Sequence, residues 1–156
     1  SRLGNTVALL YVDLDGFKQI NDRFGHDLGD RVLIEIAGAM RNSLRAHDTV
    51  ARLGGDEFVA LMTDLPNSIA CIERLPRLLA AISRPLRIGD DELQLSASIG
   101  VTFYSQGNDI DAQHLLNQAD QAMYQAKAAG KNRYYVYDGA LRPQPTGSTV
   151  ERALSE

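Results

Sequence analysis

The chain has few of the features that would place it outside the ordinary globular class. A single cysteine among 156 residues, Cys71, allows no intrachain disulfide and fits a reducing compartment such as the cytoplasm. The longest wholly apolar run, Val7–Val12, is too short to span a bilayer, and no signal-peptide pattern opens the sequence. The net charge of −4 argues against a nucleic-acid-binding protein, although a small phosphate ligand stays compatible with it. We therefore expect one globular domain without nucleic acid or membrane contact of its own.

Apolar periodicity predicts strands and helices in alternation. Thr6–Asp13 is an apolar, β-branched run that indicates a buried central strand. A loop is expected over Gly25–Asp30, with Asp27 or Asp30 capping the helix that follows. The other predicted helices are Phe17–Phe24, a segment after Pro66 that Pro76 kinks or shortens, and Ala112–Ala129; the other predicted strands are Thr49–Leu53, Phe58–Met62, Leu86–Ile88, Glu92–Val101 and Arg133–Tyr137.

This order of elements predicts an α/β (α+β) fold. Helices should cover a central mixed sheet of about five strands, and an extra β-hairpin should lie beside it. Residues 1–138 are predicted to form the domain, and the Pro-, Gly-, Ser- and Thr-containing residues 139–156 a linker or tail.

An aspartate ends the predicted central strand, and a glycine-containing turn follows it. Asp13 precedes Leu14-Asp15-Gly16 and a helix that starts at Phe17. A carboxylate at such a junction can hold a cation, while N–H groups of the turn and the first helical turn can bind phosphate. For this segment alone, a capping aspartate is an equally good interpretation.

Two adjacent acids lie at the tip of a predicted hairpin, in Gly54-Gly55-Asp56-Glu57-Phe58. Neighbouring residues of a strand point to opposite faces, so Asp56 and Glu57 should serve different purposes. If the hairpin pairs beside Thr6–Asp13, Asp56 and Asp13 can approach the same ions. Mg²⁺ favours such a site, because it takes one or two carboxylates together with phosphate oxygens.

The hairpin tip spells GGDEF, and the chain resembles the diguanylate cyclase (GGDEF) domains. The resemblance runs from about Val7 to Asp138 and does not depend on those five letters alone. Further segments that match the family pattern are Asp13–Lys18 (DLDGFK), Asn21–Asp22, Phe24–His26, Gly29–Asp30, Ser98–Gly100, Met123–Lys127 and Gly130–Arg133.

The resemblance implies a reaction and a fold. Two GTP molecules would condense to cyclic di-GMP and release two pyrophosphates. Each domain would hold one GTP, and two domains would meet face to face in a transient homodimer. A ribose 3′-hydroxyl would attack the α-phosphorus of the opposite GTP. The fold would be a palm-like sheet related to nucleotidyl cyclases and polymerases.

The resemblance also implies the catalytic and metal-binding residues. Asp13, Asp56 and the Leu14 carbonyl would hold two Mg²⁺ per GTP, with Mn²⁺ as a substitute. Glu57 would lie near the metal and the 3′-hydroxyl. It would ligate an ion or accept the proton, and the sequence does not separate these roles.

The triphosphate-binding residues follow from the same resemblance. Backbone amides of Gly16, Phe17 and Lys18 would hold the β- and γ-phosphates. Lys127 and Lys131 would reach the terminal phosphate. In isolation, the two lysines are better explained as cations at the end of a helix.

Guanine recognition would fall to Asn21 and Asp30. A carboxylate can accept from N1–H and N2–H₂ of guanine together, whereas adenine offers no such pair. Without the resemblance, Asp30 is better explained as a helix cap.

Two further residues are not assigned to the site. His26 is better explained as a turn residue without catalytic duty, and Cys71 as a core residue.

The segment Arg45-Ala46-His47-Asp48 resembles the family's product-inhibition site, RxxD. Arg45 would bind phosphate or stack on guanine, and Asp48 would pair with a guanine edge of cyclic di-GMP. Arg74 or Arg77 would supply a second arginine. The plainer alternative is an arginine in the last turn of a helix followed by a turn aspartate.

One family feature is missing, the DxLTxLxNR-like segment before the first strand. We therefore expect a piece of a longer bacterial signalling protein. An EAL phosphodiesterase domain can follow in that protein, because Tyr124–Asp138 resembles GGDEF domains that precede one.

Two other functions compete with an active cyclase. One is a catalytically silent module that binds GTP or cyclic di-GMP and controls a neighbouring domain. The other is a different nucleotidyl cyclase or a palm-type polymerase, against which the guanine-reading pair and the negative charge argue.

Overall fold

A computed structural model describes residues 5–105, 107 and 110–139 of the chain. The predicted linker or tail therefore lies outside the described residues, apart from Gly139. This described part contains no helix that is both long and apolar enough to cross a membrane. The elements are β1 Thr6–Asp15, α1 Phe17–Phe24, α2 His26–Ser43, β2 Thr49–Gly54, β3 Glu57–Leu65, α3 Ser68–Ile72, α4 Leu75–Ile82, β4 Leu86–Ile88, β5 Asp91–Leu93, β6 Ser96–Ser105, α5 Ala112–Ala128 and β7 Arg133–Val136.

The predicted mixed sheet of five strands is confirmed, with β1 in its middle. The strand order is β2-β3-β1-β6-β7. β1 is antiparallel to both neighbours, and β7 runs parallel to β6. β4 and β5 form a separate two-stranded sheet, which is the expected extra hairpin.

The two faces of β1 pack against different helices, because successive side chains of a strand point in opposite directions. Its even-numbered residues, such as Leu10 and Val12, lie in the larger core with α1, α2 and α4. Its odd-numbered residues Leu9 and Tyr11 pack against α5. The predicted core position of Cys71 is also confirmed, since its side chain is buried in the larger core.

Helix α5 lies very close to β6 because a glycine occupies the contact. A Cβ added to Gly100 would collide with backbone atoms of Ala119 and Met123. The helix therefore approaches the sheet at a distance that only glycine allows. This close packing brings the C-terminal end of α5 over the end of β1.

The expected loop over Gly25–Asp30 is wrong, because α2 already begins at His26. Gly25 is the N-cap of α2 and has φ 92°, in the left-handed region, so the chain turns from α1 into α2 at one residue. No side chain caps this helix, so neither Asp27 nor Asp30 has the predicted capping role.

Other boundaries also differ from the prediction, most clearly at β6 and β1, whereas the break at Pro76 is confirmed. The run Glu92–Val101 is divided between two strands, β5 and β6. In the break between these strands, Gln94 Nε2 donates to the Ser83 carbonyl at 2.7 Å and Leu95 is buried. β1 extends through Asp15, which was expected in the turn. Pro76 breaks the helical segment as expected, since it lies in the first turn of the separate helix α4.

Candidate functional site

The hairpin tip pairs beside the end of the central strand, as the sequence predicts. Asp13 and Glu57 are directly paired across β1 and β3. One step further, Leu14 N donates to the Asp56 carbonyl at 3.1 Å. Asp13, from the middle of the sheet, is 2 % exposed. The strand pairing thus brings three predicted acids to one end of the sheet.

A cleft of about 410 Å³ opens at this end of the sheet. Asp13 and Asp56 line it together with the first turn of α1 and with Lys127 from α5. Its walls therefore join acidic, backbone and cationic groups that lie far apart along the chain. The lining residues are Asp13, Leu14, Gly16, Phe17, Lys18, Gln19, Asn21, Gly55, Asp56 and Lys127.

The first turn of α1 faces this cleft without a side-chain cap. Gly16 is the N-cap, with φ 86°, and among the described residues no side chain accepts from the helix N-terminus. The first N–H groups of a helix have no partner within the helix, so they suit an anion. Phe17 is buried and anchors the turn, while Lys18 is exposed. The turn can bind phosphate through its backbone.

Lys127 reaches the acids at the end of β1. Its Nζ lies 3.0 Å from Asp15 Oδ1 and 3.3 Å from Asp13 Oδ1. Burial lowers the pKa of Lys127, but the neighbouring charge of Asp13 and the hydrogen bond that Lys127 donates to Asp15 outweigh it and leave the pKa raised. Lys127 therefore carries a full charge in the cleft. Lys131 is exposed beyond the end of α5 and does not line the cleft.

Asp15 is a residue that the sequence analysis missed. Its Oδ1 accepts from Ser98 Oγ at 2.8 Å and from Lys127 Nζ at 3.0 Å, and its Oδ2 accepts from Ser96 Oγ at 2.6 Å and from Asn132 N at 3.1 Å. Burial raises the pKa of Asp15, yet these four hydrogen bonds reverse the shift and lower it. The sequence does contain a pattern that indicates this site. In Asp13-x-Asp15 and in Ser96-x-Ser98, residues two apart on a strand point to the same face.

The two predicted guanine-reading residues lie on different surfaces. Asn21 lines the cleft, and its buried Oδ1 accepts no hydrogen bond from the described residues. It packs so closely on Gly29 that a Cβ there would collide with it. Asp30 is exposed and lines a different groove of about 400 Å³ with Arg52 and Phe58. His26 is exposed as well.

The donor set at the cleft fits a small, hard cation. Asp13 and Asp56 line the cleft and have carboxylate oxygens, and Leu14, whose backbone carbonyl is a further oxygen donor, lines it too. In the described ranges, no cluster of three or more His, Cys, Asp or Glu side chains is arranged to hold a metal. Mg²⁺ suits such a set, because it commonly takes one or two carboxylates and completes its shell with water and phosphate.

The RxxD segment forms a compact ion-pair cluster away from the cleft. The Asp48 side chain is fully buried and accepts from Arg45 N at 2.9 Å and from Arg74 Nη2 at 3.2 Å. Burial raises the pKa of Asp48, but bonds from Arg45 and the charges of Arg45 and Arg74 lower it overall. Arg45 Nη2 also donates to the Thr63 carbonyl at 2.6 Å. Of the two candidate second arginines, Arg74 joins this cluster, whereas Arg77 lines a separate groove.

Comparisons with known proteins agree with this architecture. The family described as diguanylate cyclase, GGDEF domain, matches residues 1–133. The bifunctional diguanylate cyclase/cyclic di-GMP phosphodiesterase MucR of Pseudomonas aeruginosa is 44% identical over 135 residues, which are 86% of this chain and 19% of MucR. Two curated sequences of the diguanylate cyclase TpbB from the same species are covered to 30% of their length, so the chain spans less than a third of these relatives.

Solved structures extend the agreement to the fold. The GGDEF domain of TpbB (YfiN) from Pseudomonas aeruginosa has a TM-score of 0.80 at 38% identity, with 86% of this chain and 83% of that chain covered. The GGDEF domain of DgcB from Caulobacter crescentus, in complex with c-di-GMP, has a TM-score of 0.74 at 26% identity, with 85% and 78% covered. The palm-like architecture predicted from the sequence is thereby confirmed.

Proposed function

We propose, because this chain belongs to the diguanylate cyclase GGDEF domain family, that it condenses two GTP molecules into cyclic di-GMP and two pyrophosphates. One observation carries the proposal: a single cleft unites Asp13, Asp56, the uncapped first turn of α1 and Lys127. Carboxylates for a cation, amides for phosphate oxygens and a lysine for charge are the groups that phosphoryl transfer requires. The intact GGDEF tip beside β1 supports an active rather than a silent domain.

Asp13, Asp56 and the Leu14 carbonyl would hold two Mg²⁺ per GTP, with Mn²⁺ as a substitute. When bound, the cations neutralise charge at the α-phosphate and polarise the leaving pyrophosphate. Before they bind, Lys127 offsets the charge of Asp13 at 3.3 Å. The charge of Lys127 thus reduces the repulsion between the Asp13 and Asp15 carboxylates before GTP binds.

The rest of the cleft would bind and orient the nucleotide. Backbone N–H groups of Gly16, Phe17 and Lys18 would donate to oxygens of the β- and γ-phosphates at the N-terminus of α1. Lys127 and Lys131 would bind the terminal phosphate, for which Lys127 would exchange part of its contact with the aspartates. Asn21 would bind one edge of guanine, and its unsatisfied Oδ1 supports this role.

Asp30 would bind the N1–H and N2–H₂ edge of the same guanine. Asp30 follows Gly29 in α2, and Gly29 packs against Asn21 of α1, so this proximity supports a guanine shared by the two residues. Guanine selectivity then depends on a carboxylate that adenine would leave unpaired.

The chemical step joins two subunits. The 3′-oxygen of one GTP forms a bond to the α-phosphorus of the other, the bond from that phosphorus to the bridging oxygen breaks, and pyrophosphate leaves. Glu57 would lie at the 3′-hydroxyl and accept its proton or ligate the cation. A transient homodimer with twofold symmetry places two such half-sites face to face. The rate per subunit should therefore rise with protein concentration.

Cyclic di-GMP would also inhibit the enzyme at the RxxD segment. Arg45 would bind a phosphate or stack on guanine, with Arg74 as the second arginine. The contact of Arg74 with Asp48 supports this choice over Arg77. Asp48 would exchange one of its present hydrogen bonds for a guanine edge.

The experiment is incubation of the protein with GTP and MgCl₂ over a range of protein concentrations, with mass spectrometry of the product. We expect cyclic di-GMP from the parent and from the control Glu35→Gln, an exposed residue of α2. Glu57→Gln should lower the rate by about 10²-fold or more. GTP binding without product at any concentration would contradict the cyclase and favour a silent regulatory module. That alternative draws support from a relative named only as a cyclic di-GMP phosphodiesterase, PdeR of Escherichia coli, which is 36% identical over 133 residues.

A further inference from the structure

A buried tyrosine hydroxyl lies against Glu57. Tyr11 is 0 % exposed, and its O–H donates to Glu57 Oε1 at 2.7 Å. Across β1 and β3, Tyr11 pairs with Val59, and Asp13 pairs with Glu57. Tyr11 and Glu57 are therefore diagonal neighbours on the same face of the sheet, within reach of a long side chain.

The tyrosine ring is held firmly by its surroundings. It packs in the cluster formed by β1 and α5, with Leu115, Ala119 and Met123. Its strand neighbour on β6 is Gly100, against which the backbone of α5 lies in close contact. A ring packed at interior density has few alternative positions, so its hydroxyl is a well-defined point. A phenylalanine would fill the same apolar space, so packing does not require the hydroxyl.

Glu57 is a side chain whose position needs such a constraint. Asp13 lies directly opposite it, and like charges opposite one another on two strands repel. Lys127 compensates Asp13 from α5. The Glu57 carboxylate instead accepts a hydrogen bond from the Tyr11 hydroxyl, and this bond fixes the direction of the carboxylate. The two carboxylates are thus held by separate partners on one face of the sheet.

We propose that Tyr11 is a positioning residue, whose hydroxyl orients the Glu57 carboxylate toward the reacting 3′-hydroxyl without touching the nucleotide. This inference rests on the proposed cyclase function. It assigns the hydroxyl a role in the reaction step and none in GTP binding. Its loss should therefore lower kcat and leave the KM for GTP nearly unchanged.

The test compares Tyr11→Phe with Tyr104→Phe. Tyr104 belongs to the same cluster against α5 and pairs with Val7, toward the opposite end of β1. Both substitutions remove one hydroxyl and keep the ring. The measurements are kcat and KM for GTP with MgCl₂, and the ¹³C NMR signal of the Glu57 carboxyl, assigned with Glu57→Gln. We expect Tyr11→Phe to lower kcat about tenfold, or about 1.4 kcal/mol, with KM within about twofold.

The Glu57 carboxyl signal should move in Tyr11→Phe and stay in place in Tyr104→Phe. An active parent whose kcat survives Tyr11→Phe would overturn the inference, even if the signal moves. Equal losses of kcat in the two variants would overturn it too, because they would indicate a general packing effect. If the parent makes no product, the cyclase proposal fails and the NMR comparison decides. A signal displaced only by Tyr11→Phe then supports the orientation of Glu57 by the Tyr11 hydroxyl, and an unmoved signal refutes it.

Discussion

Replacing Asp15 with asparagine should destabilise the protein by about 2–4 kcal/mol at pH 7. Four donors converge on the Asp15 carboxylate from β6, α5 and the turn before β7. Asparagine keeps one acceptor oxygen and puts an NH₂ group in place of the other. The serine hydroxyls can rotate to adapt, but the backbone N–H of Asn132 then meets a donor. Lys127 loses one of its two anionic partners and keeps Asp13.

The assay is urea unfolding at several pH values, with Asp90→Asn as the control in the exposed turn between β4 and β5. The parent should have the higher midpoint at an unchanged slope. Because the folded pKa of Asp15 is lowered from its ordinary 3.8, ionised Asp15 stabilises the fold above that value. This stability is lost as the pH falls through the folded pKa. The difference should stay constant from about pH 6 to 8 and shrink below about pH 4.

A difference below about 0.5 kcal/mol at pH 7 would refute this account of Asp15, since ordinary surface substitutions fall in that range. A large difference that persists undiminished at low pH would refute the electrostatic part. In that case the loss would come from packing, which does not titrate.

Three further predictions concern recognition, inhibition and packing. Asp30→Asn should reduce the preference for GTP over ATP roughly 10- to 100-fold in competition binding, and unchanged discrimination would remove Asp30 from guanine recognition. Arg45→Ala should raise the cyclic di-GMP concentration for half-inhibition roughly tenfold or more, relative to its own uninhibited rate; equal inhibition of variant and parent would contradict the RxxD assignment. Gly100→Ala should cost about 1–3 kcal/mol in urea unfolding, because its methyl group would collide with the α5 backbone. Its control, Gly38→Ala in α2, has open space and should be neutral or stabilising by up to about 1 kcal/mol; similar losses in both would contradict the close-packing argument.

Local chemistry made much of the fold predictable. The apolar run from Thr6 indicated the buried central strand, and Pro76 indicated the break between α3 and α4. The errors lie where a single glycine or a tertiary contact sets a boundary. With Gly25 as its N-cap, α2 begins at His26, four residues before the predicted loop ends at Asp30. Between β5 and β6, Gln94 donates to the Ser83 carbonyl, a contact that no local pattern indicates.

The sequence by itself determined the residue types of the site and the family. Asp13, Gly16 and the GGDEF tip are local patterns, and short-range geometry suffices to read them. Only the tertiary structure decided which side chains meet. Strand pairing places Tyr11 against Glu57, and the packing of α5 on Gly100 brings Lys127 to Asp13 and Asp15. The physical reason is that the direction of a side chain along a strand follows a period of two, whereas its partner depends on register and helix docking between segments far apart in the chain.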